Sequence, residues 1–424
     1  MRRGYEDRVK AVFDHWELHS DIVGETTADG LVRVLDNGEE MAVIPARILT
    51  DEVPIYHRVS HRPAYLDEEW AYDVAAAIPE PSDYAATLLQ LLARPNLASK
   101  AAIYEQYDKT IMSNTVLTSG EGDAAVIRLK DWGSRKGLAF KTDCNATYCY
   151  LDPYRGGQLA VAEAARNVVV VGATPLALTD CLNFGSPERP EIFYQFEQCV
   201  RGLADACRAL NIPVIGGNVS LYNETSGVAV YPTPVVGMAG LLEDAGKAIG
   251  LALRNEGDVI ALLGPTRPME GDGLGGNEYA TMMLGALHGR PSPLDADLEA
   301  KVQKAYLQAA EYGIIRAAHD VSDGGIVVAL AEMCLASGYG IDLNFSFSEG
   351  LRQDAALFGE WPSRIICELD AEGMRRLHEI AATADVPFTI IGTVSGRGSG
   401  ISGATLSVGR DEMVVAWGGT PGEI

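Results

Sequence analysis

The stretch HDVSDGG at 319–325 places one imidazole, two carboxylates, a hydroxyl and two glycines between the apolar segments YGIIRAA and IVVALAEMCLASG. Gly324 and Gly325 predict a helix start, with Ser322 and Asp323 where N-cap residues sit. The free N–H groups and the dipole of such a start favour an anion. Asp320, just ahead, suits a cation that bridges to phosphate. Plain capping of a buried helix, with His319 hydrogen-bonded internally, fits the same residues.

A second cluster is Asp143, Glu163 and Asn167. Asp143 ends a predicted strand, and Glu163 and Asn167 are four apart on a predicted helix, so those two share a face. All three offer hard oxygen ligands, which suit Mg²⁺ better than Zn²⁺. A solvated helix face with an i,i+4 hydrogen bond fits equally. A third cluster combines Asp180 and Asn183 of LTDCLNFG with Gly216, Gly217, Asn218 and Ser220 of GGNVSLYNE. Asn218 and Ser220 alternate with Val219 and point to one face of a strand. The glycines let a ligand, or another backbone, come close. Polar groups on a buried strand need partners, or cost about 1–3 kcal/mol each. The glycines of GDGLGGNEYA offer a phosphate nest, but the segment matches neither GxGxxG nor a P-loop. No Ser-His-Asp, HExxH or HRD arrangement occurs, and the catalytic residues stay unknown.

The elements that must position these groups follow from pattern. The 424 residues are enough for two or three domains. They are 47% hydrophobic and 22% charged, an ordinary globular composition. No apolar run reaches the about 18 residues of a membrane span. The start, MRRGYEDRVKAVF, lacks a signal core, so a cytoplasmic location is expected. A net charge of −24 argues against nucleic acid and anionic membranes as partners. Seven cysteines without a CxxC pair point to reduced core thiols.

Residues 1–58 carry a helix and a hairpin with a DNG turn, too little to hold a core alone. Residues 59–95, with Pro79, Pro81 and Pro95, are expected as a linker with one short helix near 83–93. From 96 to 250 strands and helices alternate. GGQLAVAEAARNVVVVGA is expected as a helix that begins after its two glycines. A further domain is expected over 251–424, with GIDLNF and EMVVAW among its strands. The fold class is α/β or α+β.

The motifs PNLASKAAIYEQYD, DAAVIRL, TDCN, GGQLAVAEAARNVVVVGATPLALTDCLNFG, GGNVSLYNE, HDVSDGG and LFGEWPSR occur in one order over essentially the whole chain. In this the chain resembles the PurL family of phosphoribosylformylglycinamidine synthases, of the AIR synthase-related superfamily. The resemblance implies a half built of a barrel-forming α/β domain (96–250) and an outer α/β domain (251–424). Residues 1–58 would be the tail of a preceding outer domain. The first half, with the family's catalytic histidine region, would be absent.

The implied reaction joins ammonia from glutamine to formylglycinamide ribonucleotide, with ATP giving ADP and phosphate, in de novo purine (IMP) biosynthesis. By motif match, Asp180, Gly217 and Asn218 would meet ATP or its Mg²⁺ at the shared catalytic site, and Ser220 the substrate. Asp143, Glu163, Asn167, Asp320 and Ser322 would hold Mg²⁺ and nucleotide at an auxiliary site. The implied partners are the missing half or a second copy, and glutaminase and small subunits like PurQ and PurS. A selenophosphate synthetase would show a reactive Cys or Sec in an N-terminal Gly-rich loop. HypE would end in a reactive Cys, whereas this chain ends GGTPGEI. A half that binds nucleotide without turnover, or a fragment of a longer enzyme, is the alternative from another class.

Overall fold

In TPVVGMAGLL at 233–242, side chains alternate between half-buried and buried without a break. That period of two makes the segment a strand with one face in a core, and it lies at the centre of the first of two large sheets. The computed structural model describes residues 1–344 and 350–418. Phe345, the last residue of the expected GIDLNF strand, and residues 419–424 lie outside the described residues.

The chain divides into two units, 1–57 and 58–424. The first holds helix α1 (Glu6–His15), strands β1 (Leu31–Asp36) and β2 (Glu39–Pro45), and helix α2 (Ala46–Thr50). Asn37 and Gly38 take positive φ in the β1–β2 turn, as DNG predicts.

The second unit opens with α3 (Tyr65–Ala71), α4 (Val74–Ala77), α5 (Tyr84–Leu92) and α6 (Ala101–Tyr104). The 59–95 stretch is therefore more than a linker with one helix. Asp83 caps α5 through the Ala86 N–H at 2.9 Å. Leu88, Leu91 and Leu92 of α5 are fully buried in one core with Ile326, Leu330 and Val408. Its apolar content serves the outer domain, which the prolines concealed.

Next come β3 (Thr115–Leu117), β4 (Ala125–Arg128), β5 (Gly137–Asp143), α7 (Ala146–Leu151), α8 (Pro153–Val170), β6 (Thr174–Asn183), α9 (Pro190–Ala209), β7 (Val214–Ser220), the hairpin β8 (Glu224–Thr225) and β9 (Val228–Ala229), and β10 (Thr233–Leu242). The sheet order is β3-β4-β5-β10-β6-β7, antiparallel except for the parallel β6–β7 pair. Helix α8 starts three residues before its glycines, because Asp152 caps it and Pro153 preorganises its first turn. The glycines lie inside α8 because α7 packs closely on Gly156, at Cys149, and α9 on Gly157, at Cys199. On the α9 side, a Cβ at Gly202 would stand 2.1 Å from the Tyr154 carbonyl oxygen.

The outer domain runs β11 (Val259–Leu263), α10 (Glu278–Leu284), α11 (Ala296–Glu311), β12 (Ala317–Asp320), α12 (Gly325–Ser337), β13 (Tyr339–Leu343), α13 (Gln353–Phe358), β14 (Ile365–Leu369), α14 (Ala371–Ala384), β15 (Phe388–Arg397), β16 (Ile401–Ser402), β17 (Ser407–Val408) and α15 (Arg410–Trp417). Its sheet order is β12-β14-β11-β15-β13-β16-β17. Strand β14 is buried throughout, because this sheet is covered on both faces. EMVVAW, expected as a strand, lies in α15. A short apolar run does not distinguish the two by period. Here Glu412 accepts the Gly409 N–H at 2.9 Å and Met413 is buried, which settles it as a helix.

The first sheet is covered on one face only. Phe140, Leu176, Val214, Ile215 and Val219 are exposed, and β7 is an open edge. The expectation that GGNVS lies on a buried strand is thus corrected: as the edge strand, β7 is exposed along nearly its whole length among the described residues.

The α8–α9 contact leaves no room for a methyl group. Gly202→Ala is expected to cost about 1–3 kcal/mol by overpacking, read as a lower urea midpoint. An unchanged midpoint would mean that the two helices part easily.

Candidate functional site

Two polar regions emerge. The first is buried between the two domains of the larger unit. Strand β5 delivers Lys141 and Asp143, two apart and so on one face. Helix α8 delivers Glu163, Arg166 and Asn167, one turn apart. Strand β12 and the following turn deliver His319, Asp320, Ser322 and Asp323. The structure therefore brings together Asp143, Glu163, Asn167, Asp320 and Ser322, which lie up to 179 positions apart in the chain.

Asn167 Nδ2 donates to Asp143 Oδ2 at 3.2 Å and to the Glu163 carbonyl at 2.9 Å. Lys141 Nζ stands 4.0 Å from Asp143. Arg166 donates to Asp320 through Nε and, at 3.4 Å, Nη2, and to Glu299 through Nη1 at 2.9 Å. Both the arginine and these two acids are buried. His319 lies between Asp123 Oδ1 at 2.6 Å and Glu332 Oε2 at 3.0 Å. Asp123 Oδ2 also accepts the Asp320 N–H at 2.7 Å. A cavity of about 500 Å³ opens beside these groups, with Lys109, Lys141, Asn167, His319, Ser322 and Asp323 in its wall.

Negative charge exceeds what the cations can match. Burial, and then the neighbouring Asp143 and Asp320 carboxylates, push Glu163 well above the usual carboxylate range. Burial pushes Asp143 up to about 6 against the pull of Lys141, with Asp320 adding to the rise. Asp323 rises to about 7 through burial and the charges of Glu278 and Asp143. Burial alone would lower His319, but Asp123 and Glu332 outweigh it and hold the imidazole protonated. Among the described residues, no three Asp, Glu, His or Cys side chains converge closely enough to hold a cation unaided.

The HDVSDGG turn differs from its expected form. The N-cap of α12 is Gly324, with φ of 79°, and no side chain caps it locally. Ser322 contributes its carbonyl oxygen to the Gly325 N–H at 3.0 Å. The Gly324 N–H donates instead to Glu360 Oε1 at 2.6 Å. The glycines of GDGLGG likewise serve packing. A Cβ at Gly275 would stand 2.1 Å from the Arg290 carbonyl oxygen.

The second region is the β6–β7 pair, where Asp180 sits opposite Gly217, Cys181 opposite Asn218, and Asn183 opposite Ser220. Asn218 and Ser220 share the uncovered face with Cys181 and Asn183. Ser220 Oγ donates to Asn223 Oδ1 at 3.2 Å, and Asn218 Nδ2 lies 4.0 Å from Cys181 Sγ. Asp180 projects to the other face with Leu178 and Leu182. There its Oδ1 lies 2.3 Å from where a Cβ of Gly217 would stand, so a side chain at 217 would push the carboxylate aside. Burial raises its carboxyl above the ordinary value. Asp180 and Asn218 thus lie on opposite faces of the sheet.

Sequence reasoning passed over Asp123, Lys141, Arg166, Glu299 and Glu360. The KTD spacing carried a signal for Lys141, since alternate strand residues share a face. The others are joined to the region only by tertiary packing.

Asp143, Asp323 and Glu360, the last pushed up to about 8, hold protons more tightly in the fold than in the unfolded chain. Their contribution to stability is full below about pH 4, the unfolded carboxylate value. It is lost as pH rises through the folded values. With chelator present, the urea midpoint is expected to fall between pH 5 and pH 8, and Asp323→Asn to flatten that fall. A midpoint that rises across this window would mean that the carboxylates are ionised in the fold.

Comparison with known proteins agrees with this architecture. The family described as AIR synthase related protein, N-terminal domain, matches residues 121–242, and its C-terminal domain matches residues 255–403. The phosphoribosylformylglycinamidine synthase subunit PurL of Moorella thermoacetica is 46% identical over 98% of this chain and 56% of its own length. That of Thermomicrobium roseum is 45% identical over 97% and 55%. Thermotoga maritima PurL complexed with FGAR superposes with a TM-score of 0.63 at 21% identity, over 81% of this chain and 56% of that one. The same organism's PurL complexed with ATP gives 0.58 at 22%, over 93% and 54%. Its PurLQS structure gives 0.62 at 18%, over 85% and 57%. The chain spans about half the length of the curated relatives it matches. It belongs to the AIR synthase-related family, within its PurL branch.

Proposed function

We propose that this chain supplies the second half of an ATP-dependent synthetase that makes formylglycinamidine ribonucleotide from formylglycinamide ribonucleotide and ammonia. The observation that carries this is the inter-domain cavity, where Asn167 of α8 and Asp320, Ser322 and Asp323 of the HDVSDGG segment meet Lys109 and Lys141, with Asp143 bonded to Asn167 behind the wall. That set suits a nucleoside phosphate with a hard cation. The relatives named for this activity, and the T. maritima complexes with FGAR, ATP and ADP, support it.

In the reaction, the γ-phosphoryl group of ATP passes to the amide oxygen and ADP leaves. Ammonia then adds to the amide carbon, and the C–O bond breaks to release phosphate. Positioning and charge neutralisation carry such chemistry more than covalent protein steps do. Asp143, Glu163 and Asn167 offer the donors for Mg²⁺, which when bound neutralises phosphate charge. The donor set fits, because buried carboxylates in mutual repulsion gain from a cation and Mg²⁺ takes only one or two of them plus phosphate oxygens. Asp320 is already engaged by Arg166, so it takes part only if that ion pair opens. Ser322 lines the cavity and is placed to meet the nucleotide. On the sheet, Asn218 and Ser220 offer polar contacts to cation and substrate from the uncovered face, and Asp180 with Gly217 a contact to ATP at the end of β6–β7.

The uncovered sheet face and the open edge β7 are the place for the complementing half or a second copy. Subunits like PurQ and PurS, with a glutaminase to supply ammonia, are the partners that the PurLQS assembly supports. That same uncovered face favours a second reading, in which this half binds nucleotide but turns over only when completed.

Turnover separates the two readings. With formylglycinamide ribonucleotide, Mg²⁺-ATP and ammonium chloride, substrate-dependent ADP release by the chain alone shows that self-pairing completes a site. ADP release only after addition of the other half favours the second reading. No release in either case overturns the proposal.

Binding gives an independent check. At a hundredfold excess over Kd, Mg²⁺-ADP stabilises by about 2.7 kcal/mol. The stabilisation is expected to be larger at pH 8 than at pH 5.5, because the raised carboxylates must lose protons to bind a cation. Glu163→Gln should weaken Mg²⁺-ADP at least about tenfold, the scale of one lost charged contact, in calorimetry. Equal affinity for variant and parent would remove Glu163 from the site.

A further inference from the structure

The motif LFGEWPSR enters neither the cavity wall described above nor the sheet site, yet its Glu360 is a densely bonded carboxylate. It is 6% exposed. Oε1 accepts the Gly324 N–H at 2.6 Å and the Glu278 N–H at 3.1 Å. Oε2 accepts the Tyr148 hydroxyl. Its backbone N–H donates to the Gly273 carbonyl at 2.8 Å, and its carbonyl accepts Ser292 Oγ at 3.1 Å. One residue therefore ties α7, the Gly-rich loop, the start of α10, the 289–292 segment and the HDVSDGG turn.

Two of these donors are N–H groups at helix starts, which attract anions. Here the protein supplies the acceptor itself, the Glu360 carboxyl group. A small cavity of about 20 Å³ separates Glu360 from Glu163, Arg166, Ser322 and Asp323. The carboxylate thus stands directly behind the groups that face nucleotide and cation, without lining the larger cavity.

We propose that Glu360 is a positioning residue, whose carboxylate locks the HDVSDGG turn to α7 and α10 and so sets where Ser322 and Asp323 stand for the nucleotide. It also fills the helix-start donors, which leaves the nucleotide to be read by side chains rather than by a backbone nest. The inference rests on the nucleotide-site reading above for its functional consequence, but the lock itself is independent of it.

The test compares the parent chain with Glu360→Gln, Glu360→Ala and Tyr148→Phe. Mg²⁺-ADP affinity is measured by calorimetry and backbone amide exchange by mass spectrometry. Glu360→Ala is expected to weaken binding at least about tenfold, the scale of several lost side-chain hydrogen bonds. Exchange should quicken at 320–326 and 276–280 while β4, β5 and β6 stay protected, and saturating Mg²⁺-ADP should restore part of that protection. Glu360→Gln, whose amide oxygen still accepts both N–H groups, should keep affinity within about threefold. If Glu360→Ala also loses protection in β4–β6, the folded variants Glu360→Gln and Tyr148→Phe decide, with Tyr148→Phe expected to quicken exchange at 146–151 and 320–326.

Parent-like affinity and exchange in Glu360→Ala would overturn the proposal. So would a loss in Glu360→Gln as large as in Glu360→Ala, since charge rather than position would then be at work. If the parent itself fails to bind Mg²⁺-ADP, the nucleotide-site reading falls. The exchange comparison still decides whether Glu360 locks the turn.

Discussion

Arg166 lies 2% exposed at the junction of the two domains, bonded to Asp320 of β12 and Glu299 of α11. A guanidinium taken out of water must be matched by buried anions in fixed geometry, and removal of one partner from such a set costs about 3–5 kcal/mol. This ties α8 of the first domain to two elements of the second at one relative placement. Glu299 is held in turn by Ser363 Oγ at 2.6 Å and Gln303 at 2.8 Å. Because α8 also carries Glu163 and Asn167, the same ion network places Asn167 in the wall of the inter-domain cavity and Glu163 at the small cavity beside Glu360. A network of this kind is weak evidence for stability and better evidence for a single arrangement.

The two sheets divide the work. The outer sheet is covered on both faces, so its central strands β11 and β14 are buried almost throughout and it can act as a rigid support. The first sheet keeps one face and the β7 edge open, and it carries Asn218 and Ser220 there. An open face with exposed Phe140 and Leu176 is the surface on which a further layer belongs. The buried cavity and the open sheet are therefore different kinds of site. One is completed by this chain's own two domains, and the other needs something outside it.

Much of this was legible in the chain's pattern. The strand and helix alternation over 96–250, the DNG hairpin and the grouping of Glu163 with Asn167 all follow from periods of two and 3.6 and from turn chemistry. The misreadings have local causes. EMVVAW is too short for its period to separate strand from helix, and a capping glutamate decided it. The glycines of α8 and of GDGLGG looked like a helix boundary and a phosphate nest. Both serve close approach of neighbouring backbone, which no single sequence displays.

By itself, the sequence determined the alternating α/β architecture, the acidic and oxygen-rich character of the candidate ligands, and the motif order that marks the family. Those are properties of residue type and spacing. Tertiary structure alone decided that Asn167 and Ser322 share a cavity wall, that Arg166 consumes Asp320, that Glu360 binds the N-cap N–H of the HDVSDGG helix, and that Asp180 and Asn218 face opposite ways. The physical reason is range. Hydrogen bonds, burial and charge repulsion act between groups brought within a few ångström, and the chain sets that distance only when it folds.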